Sequence, residues 1–257
     1  MTPHPSHKHK QYDDMAWPVV VMENRWPAGM STCWHFHPKG QLLYATEGVM
    51  IVHTDAGSWI VSPNRALWMT TGLRHNVTMV GDVLMRTAYI DVEKVLILPG
   101  ESSVINVSPL LRELLVEAVG INFRVEPKGR DARLLELLID EIRVSTTLPL
   151  HLPMPSHERL RTICDKLCAN PSNSFSAAQW AASIHVAERT LHRLFMKETG
   201  MTFAQWREQA RLVHALRGIA AGDKVINVAL DCGYGSASSF AAMFRRYFGA
   251  SPSSFYQ

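Results

Sequence analysis

Residues 176–248 hold the pattern that decides how this chain folds. They read SAAQWAASI (176–184), HVA (185–187) and ERTLHRLFMKETG (188–200), then VINVALDCG (225–233) and YGSASSFAAMFRRYF (234–248). Each half pairs a short helix with a second helix that has one apolar and one polar face. This order predicts two helix–turn–helix motifs, each of which can place its second helix in the DNA major groove.

The first motif carries its own start and stop signals. Ser176 and Gln179 have the spacing of a capping box, and Thr199-Gly200 predicts a left-handed cap at the far end. We expect an inward stripe of Trp180, Ala181 and Ile184, followed by an apolar face of Leu191, Leu194 and Phe195. The opposite face of the second helix carries Arg189, His192, Arg193 and Lys197.

That polar face has the chemistry of a DNA contact. Basic side chains on a rigid helix can contact phosphates, and arginine can also bind guanine O6 and N7 with two hydrogen bonds. A solvated charged face is the alternative for any single helix of this kind. The repetition of the same architecture favours DNA binding.

The second motif is built alike but presents smaller side chains. We expect Ile226, Val228, Ala229 and Leu230 to face inward, with Gly233 as cap and Ser236 as N-cap of the second helix. Phe240, Phe244 and Phe248 recur every four residues and are expected to face inward too. The outward face carries Ala237, Ser238, Ser239, Ala241 and Ala242, with Arg245 and Arg246 near its end as expected phosphate contacts. Small residues allow close approach and thymine-methyl contacts. We therefore expect this motif to contribute more to positioning the protein on DNA than to reading the base sequence.

Two runs of residues in this region resemble the AraC/XylS family of bacterial transcription regulators. The first is Arg189-Thr190-Leu191, Arg193-Leu194-Phe195 and Thr199-Gly200; the second is Gly233-Tyr234-Gly235-Ser236, Ser238, Phe240, Phe244-Arg245, Gly249 and Pro252. The resemblance covers about the last hundred residues. It implies two recognition helices in successive major grooves, with DNA contacts from Arg189, His192, Arg193, Ala237, Ser238, Ser239 and Ala242. A long helix over 203–221 is expected to hold the two motifs apart.

Charge is distributed unevenly along the chain. The total is only +3 over 257 residues, but residues 157–257 hold 12 basic against 7 acidic residues, a net of +5. The remaining residues hold 14 against 16, a net of −2. The basic part is the part with the helix–turn–helix pattern.

The same residues indicate the compartment. No apolar run approaches the roughly 18 residues that span a membrane, and no secretion signal is legible at the N-terminus. The four cysteines show no disulfide framework. We expect a cytoplasmic protein without a membrane partner.

The N-terminal half has a different pattern. Residues 1–18 are expected to form a flexible tail that includes a His/Lys cluster. From residue 19 to 98, short alternating or apolar runs are broken by Gly, Asn and Asp, which predicts an antiparallel sandwich or barrel. The runs are VVVM, QLLYATEG, VMIVHTDAG, SWIVSPN and LMRTAYIDV.

One constellation in this half resembles the cupin motifs. It comprises Gly29, His35, His37, Gln41, Gly48, Gly72 and His75, with Gln41 in the place of the usual acid. His35 and His37 alternate along the chain, so both point to one face. The resemblance implies a cupin-like barrel that binds a small-molecule effector.

We expect that pocket to be lined by polar side chains, with no resident cofactor. The expected lining residues are His35, His37, Gln41, Tyr44, Arg74 and His75. The alternative is a metal site made by the three imidazoles of His35, His37 and His75. Trp34, Phe36, Trp59 and Trp68 are candidates for the same pocket, although core packing is the simpler role for an aromatic residue.

Two amphipathic helices are predicted next, over 108–119 and 129–144. We assign 99–146 to a helical segment that forms either a docking layer on the barrel or a homodimer seam. Residues 147–156 (TLPLHLPMPS) contain three prolines and predict a semi-rigid extended linker. The DNA-binding domain then spans 157–257, beginning with a helix near 157–169.

The fold class predicted is therefore α+β: an antiparallel barrel with two helices, then an all-α domain with two helix–turn–helix motifs. The predicted function is sequence-specific binding to promoter DNA, controlled by a small-molecule effector, in a non-enzymatic homodimer. Two alternatives are a metal-dependent cupin enzyme with an accessory DNA-binding domain and an architectural DNA protein without an effector.

Overall fold

The structure is a computed structural model that describes residues 18–95, 98–121, 125–148, 151–248 and 251–254. Except for Pro18, the predicted tail lies outside the described residues. The chain divides into two compact units. The N-terminal unit comprises the residues up to Asp55 with Trp59–His151, and the C-terminal unit comprises Ala56–Ser58 with Leu152 onward.

The N-terminal unit is built on an antiparallel sheet. The strands of the described chain are β1 (Val19–Trp26), β2 (Gly40–Thr54), β3 (Gly57–Val61), β4 (Arg65–Met69), β5 (His75–Ile90), β6 (Ser103–Asn106), β7 (Thr147–Leu148) and β8 (His151–Pro153), of which the first two residues of β3 and the last two of β8 belong to the C-terminal unit. The order along the sheet is β1-β5-β2-β4-β6-β7, and β3 pairs with β2 and β8. Closure into a barrel stays a prediction.

The long β2–β5 pair carries the sheet. Thr54 is opposite His75 at one end and Gly40 is opposite Ile90 at the other, next to the Gln41–Tyr89 pair, with a register shift around Glu47. Gly48 at this bulge has φ +74°, and a Cβ there would lie 2.3 Å from the carbonyl oxygen of Asp82. Only glycine fits, so this residue determines where the irregularity lies.

Two helices pack on one face of the sheet. They are α1 (Pro109–Ala118), which Ser108 caps through its hydroxyl, and α2 (Arg130–Val144). Both join one buried cluster with strand residues that include Leu42, Tyr44 and Trp68. Within the N-terminal unit, both helices therefore pack against the sheet, while their role in a dimer stays a prediction.

Two boundaries differ from the sequence prediction. The segment assigned as helical contains strand β6, whose Val104 and Ile105 are buried beside β4. The linker contains β7, which pairs with β6, and β8, so part of it is held by sheet hydrogen bonds. Short runs such as these are decided by distant partners, which local composition does not reveal.

The C-terminal unit is helical in its described residues, apart from the short strand segments of β3 and β8. Its helices are α3 (Glu158–Ala169), α4 (Ala177–Ser183), α5 (Glu188–Thr199), α6 (Phe203–Ala220), α7 (Val225–Asp231) and α8 (Ala237–Phe248), followed by a 3-10 turn at Pro252–Ser254. The capping box of Ser176 and Gln179 is present, and Gly200 is left-handed with φ +69°. Both signals were predicted and are confirmed.

The packing of the C-terminal unit matches the expected faces except on α7. Trp180, Leu191, Phe195, Phe240 and Phe244 are all at most 3% exposed. The inward assignment of Ile226 and Leu230 is wrong, because they are 45% and 54% exposed. Helix α7 has only seven residues, and its buried positions are Val228 and Ala229. Residues 226 and 230 lie four apart on the face that this helix turns to solvent.

None of the helices in the described part of the chain combines the length and apolarity needed to cross a bilayer.

Candidate nucleic-acid interface and ligand pocket

Helix α5 presents the basic face that the sequence predicted. Arg189, His192, Arg193 and Lys197 are all exposed, whereas Leu191 and Phe195 are fully buried. The Nε2 atom of His192 lies 3.6 Å from the Oε1 atom of Glu188, which is one helical turn earlier. Within the described residues, neither arginine of α5 forms an ion pair, so both guanidinium groups face solvent.

Helix α8 presents a surface of small side chains. Ser238, Ser239 and Ala242 are exposed, and Ala237 is half-buried. Ser236 caps the helix, because its Oγ accepts a hydrogen bond from the Ser239 amide at 3.2 Å. The N-cap prediction is confirmed, and a short polar surface is left at the start of the helix.

Both helix–turn–helix motifs turn on one residue of positive φ directly after the C-cap of their first helix. His185 follows Ile184 with φ +57°, and Gly233 follows Cys232 with φ +75°. This shared backbone feature sets the angle at which the second helix leaves each turn. The two motifs are therefore built on one plan, as the repeat in the sequence indicates.

Helix α6 is bonded to the flanks of both motifs. The Arg207 guanidinium donates to the backbone carbonyls of Phe175 and Asn173, just before α4. Glu208 forms an ion pair with Arg246 and accepts a hydrogen bond from the Tyr247 hydroxyl, both on α8. Burial raises the pKa of Tyr247 to about 12, helped by this bond to Glu208.

Arg246 is therefore not a free cation. Its guanidinium is engaged by Glu208 and also lies 5.3 Å from the Tyr247 ring. Arg245 is exposed beside it. Of the two predicted phosphate contacts on α8, Arg245 has no ion pair among the residues that the structure describes, while Arg246 joins α8 to α6.

A cleft of about 650 Å³ lies between the two helix–turn–helix motifs, and α6 supplies most of its lining. Its lining residues are Ala177, Glu188, His192, Phe203, Ala204, Gln205, Arg207, Glu208, Arg211 and Tyr234. The outer face of α5 and the turn before α8 thus border one concave surface.

The end of the linker is fastened to α5 and α6. The Glu198 carboxylate accepts hydrogen bonds from the Ser156 amide (3.1 Å), the Ser156 hydroxyl (2.6 Å) and the His157 amide (3.2 Å). The Trp206 indole donates to the Pro153 carbonyl at 2.6 Å. The bond to the Ser156 hydroxyl, together with the two amides, lowers the pKa of Glu198. Neither Glu198 nor Glu208 was predicted from the sequence, since both have distant partners.

In the N-terminal unit, three of the expected pocket residues meet. The ring centroids of His35, His37 and His75 lie 4.4–5.5 Å apart. His37 and His75 are buried and His35 is half-buried. We call these three residues the histidine cluster.

A tyrosine, Tyr89, connects Gln41 to the histidine cluster. A role for this residue was not predicted from the sequence. The Gln41 amide donates to the Tyr89 hydroxyl at 3.5 Å, and the Tyr89 ring lies 4.9 Å from the His37 ring. The register of β2 and β5 could have identified Tyr89, because this residue is directly opposite Gln41 in the paired strands.

The other expected pocket residues lie elsewhere. Tyr44 is three positions from Gln41 on a strand, so it points to the opposite face and joins the core under α1 and α2. Arg74 is exposed, with its guanidinium 4.9 Å from the Trp34 ring and 3.7 Å from the Asp55 carboxylate. Trp34 and Phe36 are 43% and 65% exposed, whereas Trp59 and Trp68 are core.

Comparison with known proteins matches both units to families. The AraC-like ligand binding domain matches residues 27–151, and a Helix-turn-helix domain matches residues 180–257.

Some similar proteins align with most of this chain and others with less than half of it. The HTH-type transcriptional regulator NimR of Escherichia coli (strain K12) is 34% identical over 220 residues, which cover 85% of this chain and 80% of that protein. The regulator RipA of Corynebacterium glutamicum is 35% identical over 103 residues, covering 40% of this chain and 31% of RipA. Among solved structures, ToxT from Vibrio cholerae aligns over 92% of this chain and 97% of that chain, with 11% identity and a TM-score of 0.38.

Proposed function

The chain belongs to the AraC family of helix–turn–helix transcription regulators, and we propose that it binds specific promoter sequences under the control of a small molecule. The family consists of regulators rather than enzymes, which counts against a cupin enzyme with an accessory DNA-binding domain. The proposal assigns DNA reading to the C-terminal unit and effector binding to the N-terminal unit.

The observation that carries the DNA-binding proposal is the exposed basic face of α5 beside a second motif of the same plan. Arg189 and Arg193 are one turn apart, both exposed. On a helix in the major groove, this spacing lets two guanidinium groups approach neighbouring base pairs. His192 and Lys197 extend the contact along the same helix.

The exposed side chains at the start of the second recognition helix are small and uncharged, so they allow the helix to approach the DNA closely. Ala237, Ser238, Ser239 and Ala242 present methyl and hydroxyl groups, which suit thymine methyls and phosphates rather than bidentate base contacts. Arg245 adds a phosphate contact near the end of α8. We therefore assign most base discrimination to α5 and most of the positioning to α8.

We assign the effector to a polar site around the histidine cluster of the N-terminal unit. His35, His37, His75, Gln41 and Tyr89 form its described polar core. Gln41 is 4% exposed, and its Oε1 atom has no hydrogen-bond partner among the described residues. A buried amide oxygen without a partner is costly, which favours a site that a polar ligand or water completes.

A homodimer would join two such chains on one operator. Support comes from α2, where Leu137 and Val144 are 41% and 68% exposed. They are seven residues apart and therefore on the same side of the helix. Two linked DNA-binding units gain effective concentration on the operator without any new contact.

The decisive experiment is a footprint of the full chain on the DNA around its own gene, with and without candidate effectors. We expect one preferred site, protected over two adjacent major grooves, and affinity that falls steeply with salt. Equal affinity for the candidate site and for scrambled DNA at moderate salt would overturn the proposal. If binding is specific but no compound changes it, an architectural role is favoured instead.

A further inference from the structure

We propose that Glu208 of α6 is a positioning residue that sets the direction of α8 relative to α5, so that both recognition helices fit one operator. Glu208 does not itself contact DNA but acts through Arg246 and Tyr247. This role rests on the proposed binding of promoter DNA, because it concerns how the two motifs share one site. It adds the particular side chain on which the fit of the second motif depends.

Glu208 contacts the last turn of α8 with both of its carboxylate oxygens. Oε1 forms an ion pair with the Arg246 guanidinium, and Oε2 accepts a hydrogen bond of 2.8 Å from the Tyr247 hydroxyl. Hydrogen bonds to a charged group are shorter and stronger than neutral ones, and two of them in parallel also restrict direction. We call this arrangement of Glu208, Arg246 and Tyr247 the α8 clasp.

The residue before Glu208 on α6 holds the first motif. The Arg207 guanidinium donates to the backbone carbonyl of Phe175 at 2.9 Å and to that of Asn173. Both carbonyls lie in the segment that leads into α4. Because Arg207 and Glu208 are consecutive residues of one helix, the two motifs are held from neighbouring points on a rigid backbone.

Apolar packing keeps α8 in place but does not select one direction for it. Phe240, Phe244 and Phe248 are at most 7% exposed, and their burial stabilises the helix far more than a partly exposed ion pair can. Apolar contact is non-directional, so a stripe of rings restrains the tilt of a helix less than bonds at its end. The α8 clasp supplies those bonds, and its loss should leave the C-terminal unit folded.

The charges of the clasp make its role distinguishable from ordinary stabilisation. Glu208 lines the cleft between the two motifs, where a carboxylate repels phosphates, and it engages the Arg246 guanidinium that could otherwise bind a phosphate. Removing the carboxylate should therefore strengthen binding to any DNA while weakening discrimination. A residue that only stabilised the fold would change affinity for specific and non-specific DNA in the same direction.

The first test compares the full chain with its Glu208→Gln variant by fluorescence anisotropy. The probes are the duplex that footprinting identifies and a scrambled duplex of the same length. We expect the ratio of the two affinities to fall by about tenfold, the value of roughly one base contact. Affinity for scrambled DNA should rise, and its salt slope should steepen by about 1 as Arg246 becomes available to a phosphate.

Base substitutions in the duplex locate the effect on one recognition helix. In Glu208→Gln, changes in the major groove that α8 occupies should matter less than they do for wild type. Changes in the groove that α5 occupies should keep their full effect, because Arg207 still holds the first motif. Equal loss of discrimination in both grooves would assign Glu208 a general structural role and overturn the proposal.

A charge reversal tests the contact itself. Glu208→Arg and Arg246→Glu each place like charges opposite one another, so each should lose discrimination. The double variant restores an opposite pair with the net charge of wild type and should recover most of the loss. Glu158→Gln removes an exposed carboxylate from α3 of the same unit and is the matched control, which should discriminate as wild type does.

Hydrogen exchange of the full chain without DNA gives a readout that does not depend on an operator. We expect the amides of α8 to exchange faster in Glu208→Gln than in wild type, with those of α4 and α5 unchanged. A wild-type chain without any preferred site would overturn the proposed function. Unchanged exchange in α8, or a double variant that discriminates no better than the single variants, would overturn the role of Glu208.

Discussion

At the scale of single residues, backbone conformation sets the sharpest requirements. Gly233 forms the turn of the second helix–turn–helix motif with φ +75°, and a Cβ there would lie 3.0 Å from Ser172 Cα. Gly200 has nearly the same conformation, φ +69°, but open space around it. Substitutions at these two positions therefore distinguish the cost of a left-handed backbone from the cost of a steric clash.

We predict that Gly200→Ala lowers the free energy of unfolding by about 1 kcal/mol, the cost of left-handed backbone. Gly233→Ala should cost at least about 1 kcal/mol more, because its methyl group also collides with backbone. Urea unfolding of the two variants measures the difference. Equal losses would show that the contact with Ser172 relaxes freely.

His151 gives the N-terminal unit a pH-dependent stability. Its ring stacks on Trp59 with centroids 4.1 Å apart, and burial lowers its pKa from 6.5 to about 4. Between these pH values the unfolded chain binds a proton that the folded chain does not. The free energy of unfolding therefore falls as pH drops from about 6.5 towards 4.

We predict that wild type loses about 2 kcal/mol between pH 7 and pH 5 through this residue. His151→Phe keeps an aromatic ring on Trp59 and should lose less stability over the same interval. Urea unfolding at both pH values, followed by tryptophan fluorescence, gives the comparison. Parallel pH profiles of the two proteins would assign the dependence to other groups.

At the scale of elements, α5 is the helix on which sequence discrimination depends. We predict that Arg193→Ala weakens binding to the preferred site by about 1–3 kcal/mol and relaxes discrimination at one base pair. Lys197→Ala should weaken specific and non-specific binding alike and reduce the salt slope by about 1. Fluorescence anisotropy with specific and scrambled duplexes at several salt concentrations measures both.

Arg161→Ala is the matched control for these variants. Arg161 is an exposed arginine of the same unit, but it lies on α3 rather than on a recognition helix. Its loss should change neither affinity nor discrimination. If Arg161→Ala weakens binding as much as Arg193→Ala, the interface has been placed on the wrong helix.

A second element-scale device is the bond between the linker end and α5. Glu198 accepts three hydrogen bonds from Ser156 and His157, at the start of α3, where His157 offers no side-chain cap of its own. The carboxylate of one helix thus caps another. The position of α5 is tied by this contact to the chain segment that leads into the DNA-binding helices.

We predict that Glu198→Ala lowers the melting temperature of the C-terminal unit and weakens DNA binding, with Glu198→Gln intermediate because it keeps one acceptor oxygen. The basic face of α5 is unchanged in both variants, so a loss of affinity reports on helix position. Melting temperature and anisotropy are measured together. Affinity at the wild-type level despite lower stability would show that α5 keeps its place without this cap.

At the scale of the whole molecule, the proposed dimer depends on apolar side chains that the N-terminal unit does not bury. Leu137 and Val144 protrude from α2, whose other face packs in the core. We predict that Leu137→Glu with Val144→Glu converts a dimer into monomers, because the introduced carboxylates would be buried unpaired in the seam. Sedimentation at micromolar concentration measures the mass.

The same change should weaken operator binding, because the effective concentration of the second DNA-binding unit is lost. Leu230→Glu is the control for mass, since Leu230 is a comparably exposed leucine on α7 of the C-terminal unit. It should leave the dimer intact. A wild-type chain that sediments as a monomer would rule out the seam.

Much of the α-helical unit was legible from the sequence because its signals are local. The capping box of Ser176, the left-handed Gly200 and the apolar spacing of Leu191 and Phe195 all lie within a few residues of what they organise. Helix start, stop and buried face depend on neighbours three or four positions away. Those features, together with the family, followed from the order of residues alone.

Side-chain exposure and contacts that depend on residues far apart in the sequence were fixed only by the tertiary structure. It turned Ile226 and Leu230 to solvent, engaged Arg246 with Glu208, and placed Tyr89 beside His37. It also brought His75 from β5 onto His35, which lies forty residues earlier. Strand pairing and helix packing bring such residues together across long stretches of chain, and no short-range pattern encodes which distant side chain will be met.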